Sequence, residues 1–131
     1  MDEVIRGLYA RGNMIKRRFF MCSEDVKITL FRSYCSSFYC CALWSDEKRL
    51  THRVKVCHNN VFRLFIRTNF KDSISSHFIR RGLANFDIVR RKAVASLYRR
   101  LISSQNTLVA TIMQSTYFIY SDLLTKWKLI F

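Results

Sequence analysis

Cysteine and histidine offer the widest choice of chemistry in this chain, and Cys40, Cys41, His52, Cys57 and His58 crowd into residues 40–58. A zinc site is the first chemistry such a set suggests. The spacing argues against it: zinc ligands come in pairs two to four residues apart that converge on a tetrahedron, whereas neighbours such as Cys40 and Cys41, or Cys57 and His58, point to different sides of a helix. Buried structural cysteines fit better. A cysteine nucleophile, Cys22 or Cys57, with His52, His58 or His77 as its base, has no orienting acid and no oxyanion hole. His52 and His77 read as surface or partly buried helix residues. Three adjacent acid pairs, Asp2–Glu3, Glu24–Asp25 and Asp46–Glu47, each stand at a helix start, where capping and the helix dipole explain them. Neither glycine-rich phosphate-loop pattern occurs. No metal, cofactor or catalytic residue is implied, and the chain alone is not expected to be an enzyme.

Basic residues interleaved with aromatics remain as the strongest signal. Arg11, Lys16, Arg17 and Arg18 precede Phe19 and Phe20; Arg63 and Arg67 bracket Phe65; Arg80, Arg81, Arg90, Arg91, Arg99 and Arg100 surround Phe86 and Tyr98. Solvated helix faces account for any one cluster. They account less easily for a formal net charge of +14, with 23 Lys and Arg against 9 acids. A folded chain so charged repels itself unless it meets an anion. Fifteen of the 23 are arginine, whose planar fork pairs with phosphate and stacks on bases. RNA or DNA therefore ranks above an acidic protein or an anionic membrane, bound through phosphates without reading sequence. The residues selected are Arg11, Lys16, Arg17, Arg18, Arg63, Arg90, Arg91, Arg99 and Arg100.

Rigid elements must hold these cations. With no proline and three glycines the chain lacks the turn chemistry of a multi-stranded β fold, so helices are favoured. Val4, Leu8, Ile15 and Phe19 share one side of a first helix over residues 2–20, with Arg6 and Arg17 opposite. Ser23, Glu24 and Asp25 start a second, whose apolar positions run from Val26 through Leu30, Phe31, Tyr34 and Phe38 to Ala42. Its last turns, up to Trp44, are apolar almost all round and predict the centre of the core. Ser45, Asp46 and Glu47 repeat the start signal for a third helix, residues 46–66, carrying Leu50, Val54, Cys57, Val61 and Leu64. A polar linker follows, residues 68–84, with a short helix ending at Gly82 as its C′ residue. From Asn85, Phe86, Ala93, Leu97 and Leu101 share a face opposite Arg91, Lys92 and Arg99. Shorter helices over residues 107–114 and 122–130 complete the reading: an all-α, small irregular bundle of four to six helices. Its regions are 1–67, the linker 68–84, and the basic C-terminal region 85–131.

Half of the residues are hydrophobic and 15% aromatic, too apolar for a disordered chain. The uncharged stretch 33–45 is too short to span a bilayer, and ten of the 21 residues in 101–121 are Ser, Thr, Asn or Gln, so no transmembrane segment is expected. Asp2 and Glu3 stand where a signal peptide would be positive. Five cysteines without repeated spacing suit a reducing intracellular compartment, nuclear or cytoplasmic.

Particular strings resemble the end of LINE-type (non-LTR) retrotransposon reverse transcriptases, just after the catalytic palm. They are Leu8-Tyr9-Ala10-Arg11-Gly12-Asn13-Met14, Cys22-Ser23-Glu24-Asp25-Val26-Lys27, and Leu30-Phe31-Arg32-Ser33-Tyr34-Cys35-Ser36-Ser37-Phe38-Tyr39-Cys40. His58-Asn59-Asn60-Val61-Phe62-Arg63, then Asn85-Phe86-Asp87 and Arg90-Arg91-Lys92, follow in the same order, and residues 121–128, with Trp127, are similar to that family's terminus. The likeness covers nearly the whole chain and is most specific over residues 8–44. It implies a thumb-like helical region over 1–67, and a chain that holds template RNA and growing DNA against the polymerase palm. The family's paired catalytic aspartates have no counterpart here; Tyr120-Ser121-Asp122-Leu123 offers one acid. Asn69-Phe70 and residues 45–51 depart from the pattern. The chain is expected to be a short reading frame or fragment of such an element, meeting RNA or an RNA–DNA duplex and the missing palm. Two alternatives stand beside this. One is a non-functional remnant whose Phe38, Tyr39 and Trp44 once faced the palm; the other is a basic amphipathic protein on anionic membranes.

Overall fold

The computed structural model describes residues 1–44, 48–68 and 71–130. It is all-α, as the missing turn chemistry predicts, with helices α1 (Asp2–Arg18), α2 (Glu24–Tyr34), α3 (Lys48–Ile66), α4 (Ile74–Arg80), α5 (Phe86–Ile102), α6 (Thr107–Gln114), α7 (Thr116–Ile119) and α8 (Asp122–Ile130). The eight helices among the described residues exceed the expected four to six; the four-residue α7 is the one that the sequence does not announce. The start signal at Ser45, Asp46 and Glu47 lies outside the described residues, as do Asn69 and Phe70. The chain divides into two compact units: residues 1–39 with 45–87, and residues 40–44 with 88–131.

In the first unit α1 and α3 run parallel. Arg53 pairs with Asp2 at 3.0 Å, the Cys57 thiol reaches the Ile5 carbonyl at 3.8 Å, and Asn60 donates to the Tyr9 hydroxyl at 3.3 Å, so positions advance together along both helices. Close approach is possible because Gly12 faces Val61: a Cβ at Gly12 would lie 2.6 Å from Val61 Cγ1. Phe31 of α2 meets Phe62 at 5.0 Å and Phe65 at 5.7 Å, while Phe78 of α4 stacks on Phe62 at 4.3 Å between centroids. Each such aromatic pair adds ~0.5–1.5 kcal/mol beyond its buried area. His58 is fully buried in this cluster, 5.0 Å from Phe31 and stacked on Phe78 at 5.7 Å.

One expectation is corrected here. The second helix stops at Tyr34 instead of continuing to Trp44. Serine competes with the backbone for hydrogen bonds and weakens helices, and Ser36 Oγ instead lies 3.2 Å from His58 Nε2. The chain then turns Phe38 inward against Phe86, rings 5.3 Å apart, leaves Tyr39 exposed, and forms a single 3-10 turn, Cys41–Leu43, behind Cys40 at φ 51°. The short helix expected between residues 68 and 84 is α4, and its Phe78 is core. It closes with Gly82 at φ +62°, whose N–H bonds the Ile79 carbonyl while Leu83 N–H bonds that of Phe78. This is a Schellman end, and buried Phe78 and Leu83 supply its apolar contact.

The second unit rests on fewer side chains. Ala42, Val94, Leu124 and Trp127 are its buried centre, with Ala93, Leu97, Tyr98, Leu101, Phe118 and Leu123 packed around them. Trp127 Nε1 donates to the Ala42 carbonyl at 3.1 Å, and Tyr98 and Phe118 meet the indole edge-on at 6.2 and 6.3 Å. Asn106 caps α6 by accepting from Leu108 N–H at 2.9 Å, and Ser115 and Ser121 accept from Phe118 and Leu124 N–H at 3.2 Å each. α6 buries none of its residues, although it is apolar.

Candidate nucleic-acid interface

The cysteine and histidine chemistry finds no support in the packing. Among the described residues no three His, Cys, Asp or Glu side chains gather, and all five cysteines are free thiols. Burial pushes the Cys35 thiol up to about 11 against the opposing charge of Arg11, and burial also raises Cys41 and Cys57, so none of these three presents a thiolate. Burial drives His58 down to about 4, leaving a neutral ring in the aromatic core.

The nine selected cations fall into different situations. Lys16, Arg17 and Arg18 form the exposed last turn of α1, where cations offset the negative end of the dipole. Because α3 runs parallel to α1, its C-terminal end lies beside theirs. There Arg67 terminates α3 at φ 50°, a left-handed conformation that disfavours a side chain by roughly 1–2 kcal/mol. Arg11 is half-buried, with Nε enclosed and without a hydrogen-bond partner among the described residues. Arg63 points both terminal nitrogens at the Asp72 carbonyl at 3.2 Å, holding the approach to α4. In the second unit Arg90 is half-buried and donates to the Trp44 carbonyl at 3.4 Å, whereas Arg91, Arg99 and Arg100 stand exposed on α5, Arg100 bonding back to Ser96 at 3.4 Å.

What comes together is a basic trough along the outer half of α1. Its widest part, about 590 Å³ and open, is lined by Asn13, Lys16, Arg17, Phe20 and Arg67. It continues through Asn13 and Arg17 into a depression of about 400 Å³ bounded by Ala10, Met14 and Arg18. Through Lys16, Phe20 and Arg67 it meets a narrow slot floored by Ile15, Phe19, Leu64 and Phe65, with Lys27 at its rim. No acid lines any of these depressions. Elsewhere in this unit Glu24 pairs with Arg81, Asp2 with Arg53, and Asp87 with Lys55. The side chains of Lys16, Arg17 and Arg67 make no ion pair or hydrogen bond among the described residues.

Sequence reasoning placed Lys16, Arg17 and Arg18 in this site and missed Arg67, Lys27, Asn13 and Phe20. Arg67 stood in a recognised basic–aromatic cluster, but 49 positions separate it from Arg18, and only the parallel pairing of α1 with α3 closes that distance. No family model matches the chain, and no curated protein or solved structure matches it either.

Proposed function

We propose that this chain is a non-catalytic helical module that contacts nucleic acid through its phosphates. In line with its likeness to non-LTR reverse transcriptases, it serves as a thumb-like and C-terminal region that steadies a template–primer duplex for chemistry done in a separate palm. The observation that carries the reading is the trough, where Lys16, Arg17, Arg18 and Arg67 face solvent on two rigid helix ends with no acid among its lining residues. Cations so placed attract a polyanion without reading base edges. If these four each neutralise one phosphate, binding of the purified chain to an RNA–DNA hybrid should fall with salt at a log–log slope of about −3 to −4. Undetectable or salt-independent binding would sink this reading.

A second reading, a retroelement remnant whose apolar surface has lost its partner, draws support from the second unit, where Leu108 is 72% and Tyr117 92% exposed. Tyr39, 90% exposed, fits it as well, whereas Phe38 is turned into the first unit's core. Aggregation relieved by an added palm would favour it over the first reading.

A further inference from the structure

Phosphate contact alone does not account for the apolar surface that the trough places among its cations. Phe20 is 53% exposed between Lys16, Arg17 and Arg67, and Met14 and Met21 stand exposed close by in sequence. Cations at helix C-termini have a structural explanation in the dipole, and a lone exposed Phe needs none. Their combination is less ordinary. The ring lies on the wall shared by the wide cationic trough and by a slot whose floor includes the buried Ile15 and Phe65.

Duplex nucleic acid turns its phosphates outward and hides the faces of its bases, so it can use the cations and has no use for the ring. An unpaired strand offers both phosphates and free base faces, the combination met by grooves that bind single strands through charge and aromatic stacking. Size points the same way. The apolar slot encloses only about 20 Å³, room for a water and too little for a free cofactor or nucleotide, so an aromatic occupant would lie across its rim beside Phe20. Ala10 to Arg18 spans ~12 Å of helix rise, the length of roughly three stacked nucleotides at ~3.4 Å each, with Phe20 just beyond the helix end.

Resting on the nucleic-acid reading above, we infer that the α1 trough takes an unpaired strand of RNA or DNA, one base stacking on Phe20 and the flanking phosphates lying on Lys16, Arg17 and Arg67. Stacking of one base is worth ~1–3 kcal/mol, a factor of roughly 5 to 150 in affinity.

The test uses the full chain and three labelled probes in fluorescence anisotropy: a twelve-nucleotide oligo-U, the matching oligo-dT, and an RNA–DNA hybrid of equal length. Both single strands are expected to bind more tightly than the hybrid. Phe20→Ala should weaken them by that factor and shrink their advantage over the hybrid, Phe20→Trp should preserve it, and Lys16→Gln with Arg67→Gln should flatten the single-strand salt slope by about 1.4. Thermal melts monitored by circular dichroism confirm that each variant is folded. Hybrid binding that equals or exceeds single-strand binding, or an advantage unmoved by Phe20→Ala, overturns the inference and leaves the phosphate reading standing. Binding of none of the three probes overturns both. A difference between oligo-U and oligo-dT identifies which strand the trough prefers.

Discussion

The two units bury their apolar residues very differently. In the first, Phe31, Phe38, Phe62, Phe65, Phe78 and Phe86 are all buried around His58, drawn from α2, the segment after it, α3, α4 and the start of α5. In the second, Ala42, Val94, Leu124 and Trp127 form a small centre, while Leu108, Ile112, Tyr117, Tyr120 and Leu129 stay at the surface. The second unit has the higher share of apolar residues, 29 of 49 against 36 of 82, yet its core is thin where the first is densely cross-packed. The lesson concerns where a site can be rigid. A cation holds its position only as well as the helix beneath it, and the trough lies on α1 and α3, which share the denser core.

The sharpest way to break that contrast is to empty the first core. Phe62→Ala removes a ring stacked on Phe78 and in contact with Phe31, and should lower the stability of that unit by ~3–5 kcal/mol in denaturant titrations followed by far-UV circular dichroism. Both tryptophans, Trp44 and Trp127, belong to the second unit, so their fluorescence reports on it. In the unmodified chain the fluorescence midpoint should come at lower denaturant than the circular-dichroism midpoint. The reverse order would erase the ranking of the two units.

Acid offers a second, somewhat smaller handle. His58 titrates near 4 in the folded chain against about 6.5 unfolded, so between these values the unfolded state binds more protons. Its neutral burial is therefore fully tolerated above pH 6.5, and stability is lost as pH falls toward 4, by on the order of 3 kcal/mol. His58→Phe should remove this part of the acid limb. Parallel pH profiles for the two proteins would show that the histidine contributes nothing to it.

The smallest expected effect tests the α1–α3 approach itself. Gly12→Ala gains ~1 kcal/mol of helix propensity, yet its Cβ meets the stiff, buried Val61 at 2.6 Å, for a net loss of ~1–2 kcal/mol. Adding Val61→Ala should relieve the clash, giving a coupling energy of ~0.5–3 kcal/mol in a double-mutant cycle. Additive effects would mean that the two helices do not meet there.

Much of the local structure was legible in the sequence. Apolar residues at helical spacing located α1, α3 and α5, and the segments 107–114 and 122–130 coincide with α6 and α8. Legibility failed where burial overrode local preference. An apolar run through Trp44 reads as helix, but its side chains are used by different cores: Phe38 by the first unit and Ala42 by the second. Likewise the polar stretch 68–84 hides Phe78, a single aromatic whose burial no periodicity announces.

Taken alone, the sequence determined the helical class, the excess of positive charge and the cations of the last turn of α1, because these follow from propensity, composition and adjacency. Tertiary structure decided the rest of the site. The parallel course of α1 and α3, allowed by Gly12 against Val61, brings Arg67 beside Lys16 and Arg17; engagement elsewhere withdraws Arg63, and burial encloses much of Arg11. Spacing along a chain fixes which face of a helix a residue occupies, but not which end of another helix that face will meet.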